Sequence, residues 1–385
     1  MNRSARRAVP LVLCALLGAC GARDAQPIVA VTATIAPAGA QQLYVATTGS
    51  DANAGASDAP FKSIARAAQA AAAGATVHVA PGSYPGGFKT AVSGTQGARI
   101  AFVSTVKWGA RIVPPPDSPN ATAWDNRGNF TDIVGFEIDG SAFRGGTKWS
   151  NGIYSGGSYN TIRNNHVHHI ATGVQCSSAG GSAIGVDSYY RGVHSEVIGN
   201  SIHDIGPAGC RYIQGIYINT PGTVKNNVVY RIAEAGIHLW HDATNVIITN
   251  NTVAGSNTGI VVGGGDFYYT TGPNDHTHVV NNIVYDNKNG ISEQGSTGRN
   301  NSYRNNLVFQ NPGGDWSLGS GMVHSGTVAA APGFVAYSRT GTPDFRLAKH
   351  SPAIGKGIAT YAHPTDVDGA PRTASSGYDI GAYQH

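Results

Sequence analysis

The stretch Thr223–Gly295 reads TVKNNVVYRIAEAGIHLWHDAT, then NVIITNNTVAGSNTGIVVGGGD and, after an interruption, HVVNNIVYDNKNGISEQG. Each passage contains an apolar pair, two asparagines, a second apolar pair, a short polar run and Gly-Ile. The repeat length of about 22 residues is typical of one coil in a solenoid, whose coils bury their apolar faces against each other. The stretch therefore predicts stacked β-coils, and function is expected in the residues that depart from the repeat.

The composition favours strands and tight turns over helices. The chain of 385 residues contains 52 glycines, and only 12% of its residues are charged. Asn, Thr, Val, Ile and Gly dominate outside one alanine-rich segment. A solenoid can use this length as one domain, so we predict an all-β fold with a single stack of coils. No stripe of basic residues indicates a nucleic-acid partner.

The first 42 residues have the pattern of an export signal and a tether. Basic residues precede the apolar run Ala8–Ala19, which is too short to span a bilayer and ends in Leu17-Gly18-Ala19-Cys20. This ending resembles the lipobox of bacterial lipoproteins. The resemblance implies a signal peptide at 1–19, a lipidated Cys20 with a tether at 20–42, and an outer-membrane location, with simple secretion as the alternative. The lipid would be the only membrane contact, and loss of three arginines lowers the net charge from +4 to +1.

Two cysteines, Cys176 and Cys210, remain after removal of Cys14 and modification of Cys20. An even pair in an exported protein is most simply a disulfide. Neither residue has a second cysteine at the close spacing of a zinc site. We therefore predict a disulfide that joins two loops on adjacent coils.

Residues 43–128 are interpreted as an N-terminal cap followed by the first coils. Phe61, Ile64, Ala68 and Ala71 fall at helical spacing, with Asp58 as the expected N-cap. An amphipathic helix here would cover the open end of the first coil, which otherwise exposes apolar core and unpaired strand edges.

The same region carries three family motifs. They are YV-x-x-x-GSD at Tyr44–Asp51, PF-x-S-I at Pro60–Ile64 and V-x-V-x-PG-x-Y at Val77–Tyr84. With them the chain resembles secreted right-handed parallel β-helix proteins of the pectate-lyase-like superfamily. The resemblance implies a right-handed parallel β-helix with coils at 129–311. It also implies a C-terminal closing segment at 312–385, where Asp368, Arg372 and Asp379 are expected to form structural pairs.

The coils can be aligned on the Gly-Ile step. The aligned steps are Gly152-Ile153, Gly173-Val174, Gly215-Ile216, Gly236-Ile237, Gly259-Ile260 and Gly290-Ile291. The asparagines before these steps are expected to stack and to hydrogen-bond along the axis. A second column is interpreted as an aromatic stack: His168, His203, Tyr230, Tyr285 and Phe309. The cluster His166/His168/His169 is therefore assigned neither a catalytic nor a metal-binding role.

The residues that follow each inward Ile should point outward, because side chains alternate along a strand. The first outward column is Tyr154, Gln175, Tyr217, His238, Val261 and Ser292, and the second, two residues on, is Gly156, Ser177, Asn219, Trp240, Gly263 and Gln294. Such an aromatic and amide face suits a sugar-binding groove, which insertions at 177–194, 206–213 and 263–277 are expected to wall. We predict substrate contacts by Tyr154, Gln175, Asn219, Trp240, Asp266, Tyr268, His276 and Gln294.

The favoured function is a lyase, or a related C5-epimerase, acting on a polysaccharide that contains uronic acid. Such a reaction needs a base for the C5 proton, neutralisation of the carboxylate and an acid for the leaving oxygen. His238 is the predicted base, because imidazole titrates near neutrality, and Tyr217 is the predicted acid or second base. Arg191, Arg211 or His241 would neutralise the carboxylate.

Two alternatives stay open. A glycoside hydrolase would need two carboxylates, supplied by Asp187, Asp242, Asp266 or Asp275, since Glu293 should point inward or towards a turn. The other alternative is a non-catalytic glycan-binding or structural surface protein. The chain is expected to be monomeric, and no particular cofactor is predicted, although calcium is left open.

Overall fold

The structure, a computed structural model, describes residues 40–375 and 377–385. The predicted signal peptide, Cys20 and most of the tether lie outside the described residues and stay predictions. Among the residues that are described, no helix is long and apolar enough to cross a membrane.

The described residues form short strands, one α-helix and one turn of 3₁₀-helix at Ser188–Tyr190. The elements of the first coils are β1 (Gln42–Val45), α1 (Ile64–Ala70), β2 (Thr76–Val79), β3 (Gly82–Pro85), β4 (Phe88–Thr90), β5 (Ile100–Ser104), β6 (Ala110–Val113), β7 (Thr122–Asn126), β8 (Thr131–Val134), β9 (Glu137–Asp139) and β10 (Asn151–Ser155). The central coils contain β11 (Thr161–Arg163), β12 (His166–His168), β13 (Gly181–Val186), β14 (Ser195–Ile198), β15 (Ser201–Ile205), β16 (Ile213–Ile218), β17 (Gly222–Lys225), β18 (Val228–Ile232), β19 (Ala235–Leu239), β20 (Val246–Thr249) and β21 (Thr252–Ala254). The remaining strands are β22 (Thr258–Gly264), β23 (His278–Val280), β24 (Ile283–Tyr285), β25 (Asn289–Gly295), β26 (Ser302–Arg304), β27 (Leu307–Phe309), β28 (Trp316–Ser317), β29 (His324–Ser325), β30 (Phe334–Ala336) and β31 (Asp344–Leu347).

Three long parallel sheets run along the stack, and each coil contributes one strand to each of them. Sheet 1 contains β1, β2, β5, β8, β11, β14, β17, β20, β23, β26 and β29. Sheet 2 contains β4, β7, β10, β13, β16, β19, β22, β25 and β28, and sheet 3 contains β3, β6, β9, β12, β15, β18, β21, β24 and β27. Because each sheet is parallel and each step along it leads to the next coil, the fold is a parallel β-helix, as predicted. The coils continue to β29, beyond the predicted end at residue 311.

The inward isoleucines of sheet 2 are in register, with one correction to the predicted alignment. Ile216, Ile237, Ile260 and Ile291 pair in sequence, as predicted. The preceding coil contributes Ala183-Ile184 of β13, and the predicted step Gly173-Val174 lies instead in a loop before that strand. The prediction was wrong because the insertion in this coil precedes the strand as well as following it.

The predicted helix is present at the N-terminal end of the stack, but its N-cap residue differs from the predicted one. Ser63, and not Asp58, is the N-cap, and its hydroxyl accepts a hydrogen bond from the Arg66 N–H. Asp51 of the GSD motif accepts from the Ser63 N–H and hydroxyl at 2.8 Å, so this carboxylate holds the start of the helix. The helix buries Ile64, Ala67 and Ala68 against the first coil.

The predicted asparagine ladder runs through the turns between sheets 1 and 3. Asn251 is typical: its side-chain oxygen accepts from the N–H and Nδ2 of Asn227, and its own Nδ2 donates to the oxygen of Asn282. Six buried residues repeat this pattern in adjacent coils: Asn165, Asn200, Asn227, Asn251, Asn282 and Asn306. The ladder satisfies amides and backbone groups that would otherwise be buried without partners.

The predicted aromatic column is present on sheet 3, with one gap. The rings of His168 and His203 stack with centroids 5.2 Å apart, and those of His203 and Tyr230 at 4.8 Å. Ala254 follows Tyr230 in the register and interrupts the stack before Tyr285 and Phe309.

The C-terminal segment returns along the outside of the stack. Strands β30 and β31 form an antiparallel pair, and Phe345 packs on Tyr230 of sheet 3. The three expected structural residues make such contacts: Asp368 pairs with Arg346 at 2.7 Å, Arg372 donates to the carbonyls of Asp379 and Gly381, and the Asp379 carboxylate accepts from the Gly355 N–H.

The predicted disulfide between Cys176 and Cys210 is confirmed, with Cα atoms 5.5 Å apart. It joins the loop before β13 to the loop before β16. Replacement of both cysteines by alanine is expected to lower the free energy of unfolding by about 2–4 kcal/mol, because the bond restricts the unfolded chain. Denaturant unfolding measures this loss, and reduced wild-type protein is the control. A double variant as stable as the oxidised protein would contradict the expected role.

Candidate active site

A cavity of about 530 Å³ lies on the outer face of sheet 2. Its floor is formed by β10, β13, β16 and β19, and its walls come from the loops at 178–180, 211–212 and 266–268. Nine of the twelve predicted catalytic and substrate-binding residues line it: Tyr154, Tyr217, Asn219, His238, Trp240, His241, Asp266, Tyr268 and Gln294. These residues, which depart from the repeat on several coils, therefore line a single cavity.

The outward side chains that form the cavity floor are aligned from coil to coil by the strand register. Tyr217 pairs with His238, and His238 with Val261, as predicted. Gln175 is the exception: Gly185 occupies the position between Tyr154 and Tyr217, and Gln175 lies exposed in the loop before β13. The glycine leaves the floor open between two aromatic side chains, which gives the cavity its depth.

Unpartnered polar atoms are concentrated at the end of this floor. Within the described part of the chain, seven enclosed side-chain atoms have no hydrogen-bond partner, and four of them belong to Asn219, Thr220 and His238. Both ring nitrogens of His238 are among the four, although the residue as a whole is half-buried. A buried polar group without a partner costs about 1–3 kcal/mol, so such a concentration is typical of a site that binds a polar ligand.

His238 and Tyr217 are both held in their neutral forms. Burial, with a smaller contribution from His241, lowers the pKa of His238 to about 3. Burial also raises the pKa of Tyr217 well above its usual value, and the nearby Tyr268, Asp187 and Asp266 add to this effect. Near neutral pH the imidazole is therefore unprotonated and the phenol protonated, and their ring centroids are 5.2 Å apart. The expectation that His238 titrates near neutrality was wrong, because burial disfavours the charged imidazolium.

Trp240 is half-buried, and not freely exposed as the sequence suggested. Its indole lies against the backbone of the next coils, where a Cβ added at Gly263, Gly265 or Gly295 would come within 2.7–2.8 Å of the ring. The glycines at the ends of β22 and β25 thus make room for the indole. Its Nε1 is 3.4 Å from a carboxylate oxygen of Asp266, which orients the ring at the cavity.

The wall at 266–270 is held by His241 and Asp242. The Asp242 carboxylate accepts from the N–H groups of Tyr268, Tyr269 and Thr270, and it also accepts from the Ser188 hydroxyl. His241 contacts the Asp266 carbonyl at 2.8 Å and the Tyr268 hydroxyl at 2.9 Å. Asp242 is therefore a structural residue, and His241 is tied to the wall beside the predicted base.

Two other predicted residues do not line the cavity. Arg191 lies over the ring of Tyr269 at 4.3 Å and is not among the residues that line the cavity. His276 is exposed and pairs with Asp275 at 3.5 Å. Of the three candidates for neutralising a carboxylate, Arg211 and His241 line the cavity and Arg191 does not. The sequence placed Arg191 and His276 in the correct insertions but could not give the direction of their side chains.

The carboxylates that line the cavity are Asp187 and Asp266. Asp187 accepts from the Tyr154 hydroxyl and the Tyr189 N–H, both at 2.9 Å. Asp275 binds Asn300 away from the cavity. Glu293 accepts from the Tyr303 hydroxyl at 2.7 Å and from the Gly319 N–H, which confirms that it does not face the groove.

Tyr212 and Gln214 line the cavity and were missed by the sequence interpretation. They come just before the Gly215-Ile216 step, whereas the outward columns were counted only after it. Gln214 accepts from the Ala235 N–H, and Tyr212 accepts from the exposed Arg211 side chain. The insertion at 206–213, which ends beside them, is the signal that could have identified both.

Comparisons with known proteins agree with this architecture. The family model described as right handed beta helix region matches residues 123–328, and a model described as a protein of unknown function (DUF1565) matches residues 47–90. YwoF of Bacillus subtilis (strain 168) is 43% identical over 60 residues, which span 16% of this chain and 13% of YwoF.

Solved structures resemble the chain at low sequence identity. The complex of XylC with xylose is 13% identical, with a TM-score of 0.53 over 75% of this chain and 68% of that one. Pectate lyase Pel9A is 17% identical, with a TM-score of 0.49 over 90% of this chain and 96% of that one. The family match covers more than half of the sequence and the coils that carry the cavity, so the chain belongs to the right-handed β-helix family.

Proposed function

We propose that this protein acts on a polysaccharide bound along sheet 2 and cleaves it by β-elimination at a uronic acid unit. The observation that carries the proposal is the group of unpartnered polar atoms of Asn219 and His238, which line the cavity. A neutral imidazole beside a protonated phenol supplies the base and the acid that this reaction needs.

In this reaction a ring nitrogen of His238 takes the C5 proton. The C4–O bond breaks, a C4=C5 double bond forms, and the Tyr217 hydroxyl donates its proton to the leaving oxygen. Both nitrogens are enclosed, so the side chains around them, Tyr217 and Trp240 among them, must move aside when the sugar enters. Arg211 would interact with the uronate carboxylate, because it is the guanidinium that lines the cavity.

Sugar recognition would come from the aromatic walls. Trp240, Tyr212 and Tyr268 offer ring surfaces, while Asn219, Gln214 and Gln294 offer amide groups for hydroxyls. This combination of flat apolar faces and precisely placed polar groups suits a ligand whose ring has both apolar C–H surface and many hydroxyls. Protein flexibility at the walls is limited by the Cys176–Cys210 bond and by Asp242.

Hydrolysis is a second candidate, favoured by one specific observation. Two carboxylates, Asp187 and Asp266, line the cavity together with a single guanidinium. A glycoside hydrolase uses such a pair, and the excess of negative charge suits a neutral glycan better than an acidic one. An epimerase would share the proton abstraction by His238 but leave the chain intact.

The deciding experiment incubates purified protein with a panel of uronate-containing and neutral polysaccharides, with added Ca²⁺ or with a chelator. Elimination is expected to produce new reducing ends together with ultraviolet absorbance from the unsaturated product. New ends without absorbance would overturn elimination in favour of hydrolysis, which Asp187→Asn and Asp266→Asn should then abolish. Binding without cleavage or epimerisation would leave only a glycan-binding function.

Export with lipid attachment at Cys20 and an outer-membrane location belong to the same proposal. They are supported by the lipobox-like segment and by a disulfide, since disulfides persist in oxidising compartments outside the cytosol.

A further inference from the structure

A second group of reactive side chains lies on sheet 3, away from the cavity of sheet 2. Glu137 is on β9, His166 and His168 are on β12, and His203 is on β15. One ligand atom each from Glu137, His166 and His168 lies within 4.8 Å of the others. Aromatic stacking explains the column His168–His203–Tyr230, but it does not explain why His166 and Glu137 converge on the same place.

The hydrogen bonds leave one imidazole nitrogen of His166 bare. Asp204 accepts at 2.6 Å from Nδ1 of His203, so Nε2 of the neutral His203 ring is an acceptor. Nε2 of His166 is 2.8 Å from that acceptor and must carry the hydrogen. Nδ1 of His166 therefore presents a lone pair, and it faces Oε1 of Glu137 at 4.0 Å. Nδ1 of His166 and Oε1 of Glu137 are therefore two hydrogen-bond acceptors that face each other with no hydrogen between them. A cation bound between these two atoms would interact favourably with both.

His168 completes the set. Its Nε2 is 3.0 Å from the same Oε1 of Glu137. The other carboxylate oxygen of Glu137 pairs with Arg111 at 2.7 Å, so the carboxylate is held with Oε1 directed at the two rings. Both rings are largely withdrawn from solvent.

We propose that Glu137 Oε1, His166 Nδ1 and His168 Nε2 bind a divalent transition-metal ion such as Zn²⁺, with water in the remaining position. Imidazole nitrogens and a carboxylate oxygen are ordinary zinc ligands. With bonds of about 2.0–2.2 Å, ligand atoms around tetrahedral zinc are about 3.3 Å apart. The two separations from Glu137 Oε1, 4.0 Å to His166 and 3.0 Å to His168, therefore need to change by less than about 1 Å.

The groups behind the ligands are those that metal-binding histidines require. Such a histidine usually donates its second N–H to a fixed partner. His166 would donate to His203, which is backed by Asp204, and Arg231 holds Asp204 at 2.6 Å. With its Nε2 on the metal, His168 would carry its hydrogen on Nδ1 and donate it to Nδ1 of His169, 2.8 Å away. A stack that served only for packing would not need these partners.

The test uses full-length protein without a histidine tag, stripped with a chelator and titrated calorimetrically with Zn²⁺. One ion per chain is expected, and His166→Gln and Glu137→Gln should each weaken binding at least tenfold. His350→Gln, at an exposed histidine outside the cluster, is the matched control. Circular dichroism confirms that each variant is folded, and the more exposed His166 position is the primary test. Absence of Zn²⁺ binding by the wild type, or equal binding by His166→Gln, overturns the proposal.

A second readout locates the ion. The ring of Trp108 lies 4.7 Å from that of His166, so Cu²⁺ bound here should quench Trp108 fluorescence. The quenching is expected to be lost in Trp108→Phe. Equal quenching in that variant would place the ion elsewhere and refute this site, whatever the outcome of the polysaccharide assays.

Discussion

Replacement of His238 by glutamine is expected to lower turnover of the cleaved polysaccharide by about a hundredfold to ten-thousandfold, the range that a positioned general base contributes. Glutamine has a similar size and can hydrogen-bond, but it cannot accept the C5 proton. Because the side chain stays polar, the Michaelis constant should change much less than turnover. Initial rates of product formation, measured over a range of substrate concentrations, separate the two effects.

The matched control is His278→Gln. This histidine lies on sheet 1, contacts the Ser302 hydroxyl at 2.7 Å and does not line the cavity. It should leave turnover unchanged. An active His238→Gln enzyme would remove His238 from the mechanism and would direct attention to Asp187 and Asp266, without affecting the fold.

The pH dependence gives an independent check on the same residue. Burial lowers the pKa of His238 to about 3, so its basic form is lost only as the pH falls through that value. Burial raises the pKa of Tyr217 above 10.0, so its acidic form is lost only at still higher pH. Turnover should therefore be nearly flat between about pH 5 and pH 9. A fall in turnover centred near pH 6.5 would mean that the base is a solvated histidine.

The sequence was sufficient to predict the coils, because each coil repeats the same chemistry at the same spacing. Gly-Ile pairs and asparagines recur where the chain must turn and pack, and His238 stands beside Tyr217 for the same reason. Gln175 was assigned to the wrong position because one coil carries an insertion on both sides of its strand. In that coil the repeat length no longer indicates which residues form the strand. Periodicity identifies a column of residues only while the period is uninterrupted.

Side-chain directions in loops could not be predicted, for a related physical reason. Arg191 lies over Tyr269, and His276 pairs with Asp275, through contacts that depend on how separate insertions pack together. The burial of Trp240 depends on glycines in the two coils that follow it. The histidine cluster was considered in the sequence but assigned no metal-binding role, because His168 also fits a packing column. A metal-binding role could be inferred only once the structure showed which atom of Glu137 faces the rings.

Replacement of Asn251 by alanine is expected to destabilise the protein by about 3 kcal/mol or more, the largest loss we expect from a single side chain. The truncation removes the oxygen that accepts from the N–H and Nδ2 of Asn227. It also removes the donor to the carbonyl of Val224 and to the oxygen of Asn282. Each enclosed group left without a partner costs about 1–3 kcal/mol. Chemical denaturation followed by circular dichroism measures the loss.

Asn257→Ala is the matched control, since this asparagine is half-buried and its side chain makes one bond, to Glu234 at 2.7 Å. It should destabilise by about 1 kcal/mol or less. Asn251→Asp separates hydrogen bonding from size, because it keeps the acceptor, loses the donor and buries a charge that faces other acceptors. It should therefore be at least as unstable as Asn251→Ala. If both Asn251 variants were as stable as Asn257→Ala, the ladder would contribute little, and apolar packing between coils would have to hold the stack by itself.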